Sequence, residues 1–168
     1  MSALAREIAK FSRWAKLRLG PDYVPDAFTH SQGEWECDYP DWPALYAVIE
    51  TYLVSVTVGT YKLDDEHERL LLYALARDNE DERILELLER YPSIATQLAQ
   101  AAVNCIDVDA RWQAAVLMGR IKVTTESMRL LRDFLQDKSE YVRRRAELAL
   151  QEIARYHEQE KWRAADSW

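Results

Sequence analysis

One spacing constrains this chain more than any other feature. Three segments of its second half carry apolar residues at i, i+4, i+7, i+8 and i+11: Ile94, Leu98, Ala101, Ala102 and Cys105; then Ala110, Ala114, Leu117, Met118 and Ile121; then Val142, Ala146, Ala149, Leu150 and Ile153. On a helix of 3.6 residues per turn, every member of such a set falls on one stripe. Shorter stretches at 65–77 (Leu71, Ala74, Leu75), 80–90 (Ile84, Leu87, Leu88) and 126–136 (Met128, Leu131, Leu135) read as helices of the same kind. Between residues 60 and 168 only Pro92 and Gly119 stand as breakers, which favours helices joined by tight polar turns.

The joints agree with the stripes. Asn79 with Glu82 reads as a capping box, Pro92 suits a first helical turn, and Asp107 and Ser139 are candidate N-caps. Loops this short make neighbouring helices antiparallel, so the expected fold is all-α: antiparallel helical hairpins, stacked, with an N-terminal helical cap. The expected organisation is one domain over 1–168, divided into N-terminal helices and a loop (1–60), the hairpins (62–157) and a tail (158–168). In the first part, 3–18 form a basic amphipathic helix with Leu4, Ile8, Phe11 and Ala15 inward. Residues 20–41 hold three prolines and two glycines and read as an ordered loop; Asp41 caps a helix running from Trp42 to about Val54. The alternation of Val54, Val56 and Val58 fits either a helix end or a short extended piece.

The last two hairpins carry a recognisable motif. Asp137 followed by Tyr141, Val142 and Arg143, then Ala146, Ala149 and Leu150, resembles the second helix of a HEAT repeat; Asp109, Ala110, Arg111 and Trp112 with Ala114, Leu117, Met118 and Gly119 repeat it 32 residues earlier. Arg83, 28 residues before Arg111, marks a candidate degenerate third copy. The resemblance covers about 95 residues and implies a short HEAT-like α-solenoid, an architecture rather than an activity. In HEAT repeats an arginine at the place of Arg143 belongs to a structural ladder with acidic residues of the adjoining repeat. Arg143, Arg144 and Arg145 are therefore read as structural, although HEAT-like DNA glycosylases bind DNA through a basic face.

Charge narrows the range of partners. Net charge is −7, yet residues 1–19 hold Arg6, Lys10, Arg13, Lys16 and Arg18 against Glu7, while 20–58 hold seven acidic residues and no Lys or Arg. Nucleic-acid affinity comes largely from phosphate neutralisation by cations, so DNA or RNA is a poor match and a basic partner a good one. Cys37 and Cys105 lie far apart without CxxC spacing, Cys105 on an apolar stripe, which suits reduced thiols in a cytoplasmic protein. No apolar run approaches the roughly 18 residues of a membrane span, and the N-terminus lacks a signal-type apolar stretch.

The sharpest local signal is a run of carboxylates and large rings with no cation: Asp22, Tyr23, Asp26, Glu34, Trp35, Glu36, Asp38, Tyr39, Asp41 and Trp42. Interface hot spots are enriched in Trp and Tyr, and complementary charge speeds association, so this segment is the expected partner-binding surface. The competing structural reading folds the rings inward as a lid and leaves the acids solvated. The pairs His67-Glu68 and His157-Glu158 resemble the iron-binding pairs of deoxyhypusine hydroxylase, but that family uses four and two are present here; solvated surface histidines are the expectation, as is no metal at His30. Gly-rich phosphate loops, GxSxG elbows and Cys/His nucleophile spacings are absent from the sequence, so neither catalysis nor a cofactor is expected.

The expected function is protein binding. The segment from His30 to Trp42 is similar to immunity proteins of bacterial contact-dependent growth inhibition systems, which implies a chain that neutralises a basic toxin such as a nuclease. The alternatives are a HEAT-like scaffold or adaptor and, further off, a HEAT-like metal-dependent enzyme or lyase.

Overall fold

Ser2, Asp64, Asp107 and Thr124 each accept an open backbone amide at the start of a helix. The computed structural model describes residues 1–20, 23 and 35–165, with side chains described as far as Gln159. Among the described residues there are eight α-helices: α1 (Ala3–Leu19), α2 (Trp42–Thr57), α3 (Asp65–Arg77), α4 (Arg83–Glu89), α5 (Pro92–Ala102), α6 (Val108–Arg120), α7 (Thr125–Phe134) and α8 (Glu140–Ala165). A 3₁₀ turn spans Trp35–Asp38, and no strand occurs among the described residues. The chain is all-α, as expected, and no described helix is long and apolar enough to cross a membrane.

Several sequence signals act as expected. Leu4, Ile8, Phe11 and Ala15 are the buried face of α1. Pro92 opens α5, the Asp107 side chain caps α6 by accepting from the Asp109 amide, and Thr124 with Ser127 forms a full capping box on α7. Asp41 occupies the N-cap of α2 without a side-chain bond. The valines at 54–58 continue α2 to Thr57, so they form a helix end rather than an extended piece.

The capping box expected at Asn79 and Glu82 does not form. Asp78, buried one residue earlier, accepts the Ile84 amide on Oδ2 (2.6 Å), and Glu82 turns left-handed at φ 51° to let α4 begin only at Arg83. α5 likewise stops at Ala102, which leaves Cys105 half-buried in the turn beyond it.

Turn aspartates tie successive elements together. Each caps its own turn and takes a donor from an earlier helix: Tyr46 of α2 donates to Asp78 (2.6 Å), Arg77 of α3 to Asp107, and Arg111 of α6 to Asp137 (2.8 Å). Arg83, expected to mark a third repeat, is instead exposed beside Glu86. The arginine that enters the ladder before Arg111 is Arg77, at the opposite end of its helix. Arg77 and Leu75 meet Asp107 and Gln113 in that order, so α3 runs against α6.

α6 is the central element and packs on α3, α4, α5, α7 and α8. One row of neighbours runs α1, α3, α6, α8; α2, α4, α5 and α7 lie along it and pack on their own neighbours in turn. A single apolar cluster from Leu4 to Ile153 joins both rows. Each fully buried Leu, Ile or Phe contributes roughly 1.5–3 kcal/mol. Close packing in the last unit is set by Gly119, where a Cβ would stand 2.7 Å from that of Ala149.

Candidate functional site

The acidic and aromatic segment is divided by folding. Tyr23, Trp35, Tyr39 and Trp42 are buried, so their rings do not form an outward face. Trp35, Tyr39 and Trp42 gather around Phe11 of α1, with ring centroids 6.0, 4.9 and 5.2 Å away; Trp14 stacks on Trp35 at 5.9 Å, and Tyr23 meets Trp35 edge-on at 5.7 Å. Large rings gain more by covering the end of the helical core than by standing in water. Trp42 Nε1 donates to the Glu36 carbonyl (2.8 Å), which fixes the 3₁₀ turn against α2. Burial pushes the Tyr39 hydroxyl up to about 12.

The carboxylates divide as well. Glu36 is buried, its Oε1 3.6 Å from Arg77 Nη1, so it belongs to the interior and not to the expected acidic surface. Asp38 and Asp41 remain exposed, and Asp38 accepts from Arg18 Nη2 (2.8 Å). Asp22, Asp26 and Glu34 lie outside the described residues, as does His30.

A charged interior lies beneath the rings. Arg77 is 1% exposed and placed between Glu36 and Asp107. Burial disfavours its cation, yet Asp107 and its neighbours raise its affinity for the proton above the ordinary arginine value. The Tyr23 and Tyr73 hydroxyls share a 2.7 Å hydrogen bond, and Ser12 Oγ donates to Tyr73 (3.2 Å). Burial, then the charge of Tyr73, drives the Tyr23 hydroxyl well above its normal range. These groups hold α1, α3, the 3₁₀ turn and the start of α6 in one arrangement. Sequence reasoning passed over Arg77 and Asp78; the available signal was a charged pair ending the stripe of Leu70, Ala74 and Arg77.

An open groove lies over this interior. It encloses about 620 Å³ between α1, α3 and the α5–α6 turn. Ile8, Leu72, Tyr73 and Ala101 line it beside Ile106, which is 64% exposed. Asp65, Glu66 and Glu68, in the first turn of α3, line it with one cation, Arg69. Glu68 accepts from Gln97 Nε2 (2.6 Å); among the described residues Asp65 and Glu66 have no ionic partner. Acids here are tolerated because the open amides of a helix N-terminus favour negative charge.

The chain matches no known family, curated protein or solved structure. Its site therefore stands on this geometry alone. A second groove, between α2 and α4, mixes signs: Glu50, Asp81 and Glu86 face Arg83 and Arg90, and Glu50 already accepts from Arg90 (2.8 Å). A third, beside Ile121, Val123, Ile153 and Tyr156, carries Arg120, Lys122 and Glu152.

The two described histidines, His67 and His157, lie on different helices. His67 is not a solvated surface residue as expected: it stacks on Tyr52 at 4.7 Å and its Nδ1 lies 2.7 Å from Asp64 Oδ1. Its amide, followed by its ring, lowers the Asp64 carboxyl below the usual aspartate range. His157 is exposed on α8. No group of three or more His, Cys, Asp or Glu side chains with metal-binding geometry occurs among the described residues.

Proposed function

We propose that this chain is a protein-binding module of HEAT-like helical hairpins, and most specifically an immunity protein that neutralises a basic toxin in the cytoplasm. One observation carries the reading: a groove lined with apolar side chains bears exposed carboxylates at Asp65 and Glu66, and among the described residues neither forms an ion pair, Arg69 being the one cation in the lining. A basic protein surface supplies the missing charge, and a nuclease cleft, basic in order to hold phosphates, is the toxin surface such a groove matches best.

Internal repetition supports the HEAT-like part. Arg111 Nη1 donates to the carbonyls of Cys105 and Ile106, and Arg143 Nη1, 32 residues on, donates to those of Asp137 and Lys138. At the same offset, Ala115 and Gly119 of α6 become Glu147 and Gln151 of α8, a polar outer face of the kind that terminates a helical stack.

The test is titration of the purified chain with the protein encoded beside its gene. Tight one-to-one binding whose association rate falls steeply with salt is expected. Absence of binding, or binding indifferent to salt, removes the basic-toxin reading.

A further inference from the structure

Of the three larger grooves, the one between α1, α3 and the α5–α6 turn combines an apolar lining with three carboxylates of one helical turn, Asp65, Glu66 and Glu68, against the single cation Arg69. Its lining is laid out in order of polarity. Ile8 and Leu72 are buried in the core, Ala101 is half-buried against it, Ile106 stands out at the edge, and Asp65 and Glu66 lie exposed on the first turn of α3. A side chain that satisfies all three levels needs an aliphatic stem and a cationic end.

Arginine meets that description better than lysine. Its guanidinium is weakly hydrated, so it loses less on entering a partly apolar groove, and its planar fork can engage two carboxylates at once. Arginine is also enriched among the few residues that dominate protein interfaces. An isolated acidic turn would attract any cation, whereas the adjoining Ile106 and Leu72 surface selects a cation carried on methylenes.

We propose that this groove receives an arginine-bearing loop of the partner protein, the arginine stem lying against Leu72 and Ile106 and its guanidinium meeting the carboxylates of Asp65 and Glu66. The assignment rests on the protein-binding reading above and names the surface it uses. It also moves the interface away from the 35–42 segment, whose rings are committed to the core.

The probe is a nine-residue peptide alternating leucine and arginine, with a matched peptide carrying citrulline, which keeps the shape of arginine and removes its charge. Titrated into the ¹⁵N-labelled full chain, the arginine peptide is expected to give saturable shifts centred on Ser12, Asp65, Glu66, Tyr73 and Ile106. Asp65→Asn with Glu66→Gln should weaken binding about tenfold, and Ile106→Ser about threefold with no change in charge. Both changes are at exposed positions, and unchanged thermal melting shows that the fold is intact. Shifts centred on Glu50 and Glu86, equal binding of the citrulline peptide, or an unaffected Asp65→Asn/Glu66→Gln variant would each overturn the proposal. If the adjacent gene's product binds that variant as tightly as the natural chain, the groove assignment fails while the protein-binding function stands. If that product binds neither form but the peptide behaves as expected, the toxin reading fails and the groove stands.

Discussion

Arg111, near the start of α6, reaches forward to Asp137, with Nε 2.8 Å from Oδ2 and Nη2 3.3 Å from Oδ1, and both side chains are almost fully buried. The pair links two hairpins through a charge contact in the interior. Removing one member leaves the other charge buried and unpaired, so Asp137→Ala or Arg111→Ala should each cost about 3–5 kcal/mol. Asp137 also accepts the Ser139 amide, which adds to the cost of its loss. The double variant should be far from additive, with a coupling above about 1 kcal/mol in a urea-denaturation cycle. Additive losses would show that the two side chains act separately.

How much of this could be read in advance depended on whether the deciding contact was local. Ile94, Leu98, Ala110, Ala114, Val142 and Ala146 are buried as their spacing required, because a helix needs only one apolar face to fix its rotation. Tyr23, Trp35, Tyr39 and Trp42 sit in or beside irregular segments, where no period sets a direction. Their inward turn is decided by Phe11 and Tyr73, which are remote in sequence. The same limit applied to Asn79 and Glu82: their spacing satisfied the capping pattern, but Asp78 was drawn inside by Tyr46 and captured the amide first. The groove was still less legible, since α1, α3 and the α5–α6 turn meet only in the folded chain.

Gly119 provides a direct check of helix approach. A methyl group there would come within 2.7 Å of Ala149 Cβ and 3.1 Å of its Cα, and that backbone cannot move without shifting α8. Gly119→Ala should therefore destabilise by about 1–3 kcal/mol even though alanine is the better helix former. Adding Ala149→Gly should recover part of the loss by restoring space. A single variant melting at or above the natural temperature would mean that α6 and α8 are not in this contact.

Asp78 makes stability depend on pH with an unusual sign. Burial raises its carboxyl from 3.8 to about 6, against the opposing hydrogen bonds from Ile84 and Tyr46. Between those values the folded chain holds a proton that the unfolded chain has released. This group therefore favours folding below about pH 4, and that contribution is lost as pH rises through 6. The full span is on the order of 3 kcal/mol, from 1.36 kcal/mol per pKa unit. Asp78→Asn keeps the shape and does not titrate, so urea midpoints followed from pH 4 to 7 should show the natural chain losing stability relative to the variant. A constant difference across that range would contradict the burial of this carboxyl.

Glu36 and Asp38, two residues apart, should respond to very different degrees to the same change. Glu36 faces Arg77 in the interior, whereas the Asp38 side chain is 61% exposed and holds only Arg18. Glu36→Lys places an ammonium beside a buried guanidinium and removes one of its two counter-charges, leaving Asp107, a loss of about 3–5 kcal/mol. Asp38→Lys breaks one solvent-screened pair, worth less than about 1 kcal/mol. Thermal melting separates the two in one measurement, and near-ultraviolet circular dichroism should report loosening of the Trp35 and Trp42 rings in the Glu36 variant alone. If Glu36→Lys melts with the natural chain, the 3₁₀ turn faces solvent, and the carboxylates at 36 and 38 regain a claim to the partner.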